Sequence, residues 1–223
     1  MKLKLLSTLA LGASLLPAQS DATTRLGVAT STFKEVMDTP DKAIPQDLLS
    51  RAQCIVIVPG LKKGAFIFGA KYGRGFLSCR KKDGVGWSAP GSIRVEGGSI
   101  GLQFGGAETD VLMLVMNQKG MDRLLSTKFT LGADVSAAAG PVGRSTQAET
   151  DAALTAEILT WSRSRGLFAG ISLSGATLRQ DEEWNNELYG KKITNRDVIT
   201  TGVAAPKPAE PLLAELNRYS SRK

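Results

Sequence analysis

Histidine is absent from all 223 residues. That removes the side chain most used as a general base near neutral pH and the commonest nitrogen ligand for metals. Cysteine occurs twice, as Cys54 and Cys79, and two thiolates without imidazole do not make a zinc site. Aromatic residues are 6% of the chain and are not interleaved with the basic clusters, which argues against a stacking surface for nucleic acid. No apolar run reaches the roughly 20 residues that a membrane-spanning helix needs. No spacing of acidic residues points to a glycosidase pair.

Glycine is abundant instead, with 24 residues and no collagen period. Such glycines mark turns, bulges and close backbone approaches. The start of the chain has the three-part layout of an export signal. Lys2 and Lys4 precede an apolar stretch at 5–16, and Pro17 and small residues follow. The expectation is a signal peptide over 1–20, no lipoprotein cysteine, and a periplasmic or secreted mature protein. Without 1–20 the chain keeps 26 basic and 21 acidic residues, a net +5. That charge permits contact with an anionic surface. In an oxidising compartment Cys54 and Cys79 either pair or remain buried thiols.

Apolar residues at spacings of three and four predict an amphipathic helix over 23–37, carried by Leu26, Phe33, Val36 and Met37. Short β-rich runs follow at 54–58, 65–70, 75–80, 88–95, 99–105 and 109–116, separated by Gly, Pro and Asp. They lie too close together for crossover helices, so the sheet should be largely antiparallel. Asn117 is placed to cap a helix, 129–139 reads as extended, and 153–161 suits either helix or strand. A strand at 167–173, a helix at 180–189, a Pro/Ala linker at 205–211 and a last amphipathic helix complete the pattern. The fold class is α+β, with a barrel or sandwich core and helices flanking it at both ends of the chain. The domain reading is 1–20 signal, 21–200 core domain, 201–223 linker and C-terminal helix.

Motifs with catalytic echoes fail on chemistry. Gly97, Ser99 and Gly101 match a nucleophile elbow, but the elbow needs a histidine and a strand-to-helix turn. Ser78 and Lys81 have the spacing of a Ser-Lys dyad, yet they sit at a strand end beside a charged turn. The stretch from Gly140 to Ser145 contains Arg144 but lacks the lysine and first glycine of a phosphate loop. Its backbone N–H groups and Arg144 suit an anion. The basic groups Lys62-Lys63, Arg80-Lys81-Lys82, Arg163/Arg165 and Lys191-Lys192 could also meet phosphates, and of these Lys62, Lys63, Arg163 and Arg165 join Arg144 as the candidate site residues. No catalytic residue, metal or cofactor is expected.

Ordered blocks from 44 to 190 then resemble the SYLF domain family. They run Val58-Pro59-Gly60, Gly73-x-Gly75, Trp87-Ser88-x-Pro90 and Gly98-Ser99-x-Gly101-x-Gln103-x-Gly105. Leu131-Gly132-Ala133-Asp134-x-Ser136, Gly140-Pro141-Val142-Gly143-Arg144, Ser164-Arg165-Gly166-Leu167-Phe168 and Asn185-x-x-Leu188-Tyr189-Gly190 continue the series. The resemblance implies a β-rich core and a lipid- and actin-binding module with no enzymatic activity. It places lipid contact on the first helix (Leu26, Phe33, Val36 and Met37) and on residues such as Arg144 and Arg165. The expected partner is a phospholipid or other anionic membrane surface of a cell envelope. A protein partner in that envelope is the alternative.

Overall fold

A computed structural model describes residues 21–39, 43–65, 68–100, 107–142, 155–164 and 167–220. Helix α1 (Asp21–Met37) and the short α2 (Gln46–Arg51) lead into four long strands: β1 (Cys54–Ala65), β2 (Phe68–Cys79), β3 (Gly91–Ile100) and β4 (Ala107–Val115). Then come α3 (Gln118–Leu124), β5 (Lys128–Thr130), β6 (Ala137–Ala139), β7 (Ile158–Ser164), β8 (Leu167–Gly170) and β9 (Thr177–Gln180). Helices α4 (Glu182–Tyr189) and α5 (Asn195–Thr200), a 3-10 turn (Lys207–Ala209) and α6 (Glu210–Ser220) close the described chain.

The strands form one sheet in the order β5-β9-β3-β2-β1-β4-β7-β6, with β8 also paired to β7. Among the described strand pairs only β6–β7 is parallel. The chain is therefore α+β, with a curled, nearly all-antiparallel sheet forming a half-barrel.

Central strands β1 and β4 are buried on both faces, which is why Cys54 to Val58 and Val111 to Val115 read as unbroken apolar runs. Ile55, Ile57, Leu112 and Leu114 face the outer core, where α1, α2, α4 and α6 pack. Val56, Val58, Val111 and Met113 face the inner core inside the curl, closed by Leu124, Phe129, Leu178 and Val198. Cys54 stands opposite Cys79 across β1 and β2, and the two are joined in a disulfide. This settles the choice between pairing and free thiols.

From Cys54 to Val115 the strands are fewer and longer than the sequence pattern predicts, four where six runs were expected. β1 does not stop at Pro59-Gly60: it bulges there and continues to Ala65. Gly60 takes φ +58°, the left-handed conformation such a bulge requires. Opposite the bulge, Gly73 and Gly75 lie inside β2. A Cβ on Gly75 would come within 2.1 Å of Ile57 O, so this glycine marks a close approach inside a strand. Of the ambiguous segment, residues 158–161 lie in β7, whereas 153 and 154 lie outside the described residues, and α5 is a helix the pattern does not announce.

Helix α1 packs its stripe onto the sheet and onto α6. Leu26 and Phe33 are 0% exposed, Val36 2% and Met37 7%. Phe33 meets Tyr219 edge-on, with ring centroids 5.9 Å apart, and Leu212 and Leu216 of α6 are buried in the same core. The assignment of these four α1 residues to the acyl boundary is thereby corrected. An apolar stripe serves a membrane or a core equally well, and here the core has filled it.

The β6–β7 edge is tied by one buried carboxylate. Glu157 accepts from Ser136 N (2.6 Å) and Ser136 Oγ (3.1 Å), and Lys119 Nζ lies 2.6 Å away. The Lys119 contact, followed by the Ser136 donors, holds the carboxyl below its ordinary value of 4.5. A depressed carboxylate contributes stability above the unfolded value and loses it as pH falls through the folded one. Glu157→Gln should therefore cost about 1–2 kcal/mol at pH 7. The deficit should shrink below pH 4.5, as read from urea-unfolding midpoints across pH.

Candidate functional site

The basic residues singled out from sequence fall into three situations. Arg144 and Arg165 lie outside the described residues. Arg163 is on β7, opposite Asp110 of β4. Lys62 is exposed on β1 beyond the bulge, and Lys63 follows it in the strand.

Arg163 is committed to protein carboxylates. Its Nε and Nη2 donate to Asp110 Oδ2 at 2.9 and 2.7 Å, and its Nη1 donates to Glu35 Oε2 of α1. The other oxygen of Asp110 accepts from Gly60 N at 2.9 Å. Glu35, Arg163, Asp110 and the bulge glycine thus form one brace from α1 through β7 and β4 to β1. Arg25 adds a 3.4 Å contact from Nη1 to Pro59 O. These residues, with Val28, Glu108 and Ser164, line a cleft of about 520 Å³. Its three carboxylates outnumber its two guanidinium groups, so the cleft offers no net attraction to an anion. It fixes where the β1–β2 hairpin leaves the sheet.

Beyond the brace the hairpin is basic. Lys62 pairs with Tyr72 across β1 and β2, and Lys63 pairs with Lys71. Among the described residues, no ion pair engages Lys62 or Lys71. Tyr72 is 46% exposed, and its hydroxyl accepts from Arg74 Nε at 3.0 Å. Arg74 is itself anchored. It lies 4.8 Å over the Trp184 ring, 3.1 Å from Asp181 and 2.6 Å from Glu183. Trp184 stacks on Phe76 with centroids 5.7 Å apart. The tyrosine is therefore held from beneath while its ring stays wet. Lys71 and Tyr72 escaped the sequence reading because the glycines around them broke β2 into two supposed strands. Their alternation within 68–79 was the available signal.

The catalytic echoes dissolve in this geometry. Ser99 lies in β3 opposite Gly69, in continuous strand and not at an elbow. Ser78 is buried, and its hydroxyl donates to Ser88 O at 2.7 Å. Among the described residues, no three carboxylate, thiolate or imidazole groups converge on a point fit for a metal ion.

Comparison with known proteins places this architecture. Residues 96–219 match the sequence model of the Ysc84 family, described as Las17-binding protein actin regulator. The chain belongs to the Ysc84, or SYLF-domain, family. Protein YSC84 of Saccharomyces cerevisiae is 36% identical over 177 residues, covering 78% of this chain and 37% of its own length. LAS seventeen-binding protein 3 of the same yeast is 35% identical over 179 residues, covering 79% of this chain and 39% of its own. The SH3 domain-containing YSC84-like protein 1 of Rattus norvegicus is 32% identical over 184 residues, covering 82% and 54%. The chain thus spans about half or less of the length of these relatives. The Ysc84 match runs from the middle of β3 into α6, so it includes the Asn185-to-Gly190 block and both partners of the Arg163–Asp110 contact.

Proposed function

We propose that this chain is a non-catalytic binding module that docks on an anionic membrane surface of a cell envelope through the outer β1–β2 hairpin. The observation that carries the reading is the exposed Lys62 paired across the strands with the half-exposed Tyr72, with Lys71 next to that tyrosine in β2. A lipid phosphate layer would meet Lys62 and Lys71, which no ion pair engages among the described residues. Each lysine near such a surface contributes about 1 kcal/mol, and tyrosine favours the headgroup level. Contact through α1 is not part of this reading, since its apolar face is core. Export of the chain, with residues 1–20 as the signal, fits the Cys54–Cys79 disulfide, which persists in oxidising compartments.

The test is sedimentation with phosphatidylglycerol or phosphatidylcholine vesicles. Association should require phosphatidylglycerol and weaken between low and high salt. Lys62→Gln/Lys71→Gln should bind about 30-fold more weakly, the sum of two lysine contributions. Equal binding of the double variant and the parent, or no preference for the anionic vesicles, would reject the reading.

A second reading is favoured by the family's description and by one relative's name, both of which name binding to a protein. In it the same hairpin docks an acidic protein segment. Vesicle-independent, salt-sensitive capture of an acidic peptide, lost in the same double variant, would favour it over the lipid.

A further inference from the structure

At the opposite end of β2 the chain leaves the sheet through a tight turn, residues 80–87. Lys81 N donates to Gly86 O (3.3 Å) and Gly84 N to Lys81 O (2.8 Å), and Gly84 and Gly86 take φ of +77° and +74°. The two cores come together beside this turn. Trp87 belongs to the outer core, with Leu213 packed against it, whereas Ala89, Val198 and Ile199 belong to the inner one. Ala205 touches both. The segment that crosses here, Gly202-Val203-Ala204-Ala205, has small side chains, and it leaves a cavity of about 500 Å³. Small-molecule sites have volumes of roughly 300–1,000 Å³.

The lining has a definite chemistry. Its walls are Trp87, Val198, Ile199, Val203 and Leu213. The polar side-chain atoms of Trp87, Ser88 and Thr200 in the lining are already engaged. Trp87 Nε1 donates to Ser220 Oγ (3.0 Å), Ser88 Oγ to Ala89 O (3.0 Å) and Thr200 Oγ1 to Arg196 O (2.8 Å). A hydrocarbon against these apolar walls needs no polar partner. The rim differs. Lys81 and Lys82 are exposed, and among the described residues neither side chain has an ion-pair partner. The nearby Asp83 carboxylate accepts from Val85 N at 3.0 Å. Val85, on the same turn, is 54% exposed.

We propose that this cavity binds one anionic single-chain amphiphile, a fatty acid or a lysophospholipid. Its hydrocarbon lies against Trp87, Val198, Ile199 and Leu213, and its head group meets Lys81 and Lys82. The site is separate from the β1–β2 hairpin and stands whether or not the hairpin meets a membrane.

The experiment titrates the purified protein with cis-parinaric acid, a fluorescent eighteen-carbon carboxylic acid, below its aggregation threshold. The methyl ester is run in parallel. The expected result is saturable binding of one acid per chain. Val203→Trp, which fills the cavity, should weaken it at least tenfold. Lys81→Glu/Lys82→Glu should weaken the acid about tenfold and leave the ester unchanged, two rim charges being enough for that factor. Displacement by palmitate and by lysophosphatidylglycerol tells the two sources of the head group apart. Thermal midpoints of both variants check folding, and the lysine pair keeps the test valid if Val203→Trp unfolds. Phosphatidylglycerol vesicle binding of the variants should match the parent, so a failure here is not a failure at the hairpin. Absence of saturable binding, or affinities unmoved by the lysine pair and by a folded Val203→Trp, would overturn the proposal.

Discussion

Gly170→Ala is expected to destabilise the protein by at least about 3 kcal/mol, the size of effect reserved for severe overpacking. A Cβ at this position would sit 2.1 Å from Gly140 O and 3.0 Å from Gly140 N. Neither atom can swing aside, because both belong to backbone. Gly140 N donates to Thr160 O at 2.9 Å, and Ile171 N reaches the same carbonyl at 3.1 Å. Gly140 itself lies flat against Trp161, and a Cβ there would come within 2.0 Å of Trp161 Cε2. Trp161 is fully buried and donates from Nε1 to Pro141 O at 2.9 Å. The two glycines therefore let a segment of backbone pass between β8 and a large indole. Urea unfolding gives the readout, and Gly27→Ala is the control. Gly27 lies in α1, and a methyl group there would meet nothing within 4 Å, so alanine should add about 0.5–1 kcal/mol of stability. A mild effect at Gly170, similar in size to that at Gly27, would show that the crossing relaxes freely.

Asn185→Leu should cost about 3–5 kcal/mol, because it strips partners from buried polar groups without replacing them. Asn185 Oδ1 accepts from Ser92 N at 2.8 Å, and its Nδ2 donates to Asn195 Oδ1 at 2.7 Å and Ile193 O at 3.2 Å. Asn195 Nδ2 returns to Ser92 O at 3.0 Å, and Asn195 N donates to Gln180 Oε1 at 2.7 Å. Both asparagines and Ser92 are buried. This amide relay fastens α4 and α5 to β3, and Gly91 leaves the space it needs: a Cβ there would meet Asn195 Oδ1 at 2.5 Å. Asn185→Asp separates shape from chemistry. It keeps the volume but faces Asn195 Oδ1 and Ile193 O with an acceptor. Burial raises the pKa of such a carboxyl, so ionisation is disfavoured and stability falls as pH rises. The aspartate variant should thus be less impaired at pH 4 than at pH 7. Equal deficits at both values would point to packing alone.

Much of this fold is legible in the residues. The periodicity of Leu26, Phe33, Val36 and Met37 announces a helix, and the doubly apolar runs of β1 and β4 announce buried strands. What the pattern omits is which surface each stripe will meet. The cover for α1 is Leu212, Leu216 and Tyr219, nearly two hundred residues later. Glycine misleads for a related reason. Gly73 and Gly75 carry the same local signal as turn glycines, but their purpose is the bulge of β1 pressing on them from the next strand. The site was half visible. Lys62 and Lys63 stand in the basic hairpin, whereas Arg163 is spent on Asp110 and Glu35, which are 53 and 128 positions away. A charge count sees a free cation in each case. Only the fold tells which of them already has company.

Strand order has a practical consequence for anyone dissecting this chain. The family match begins at residue 96, yet β1 and β2 stand between β3 and β4 in the sheet. A fragment cut at that boundary would lose the two middle rungs of the ladder and with them both halves of the disulfide. Its remaining strands would have no neighbours across the gap, and any silence in a binding assay would report a missing keel.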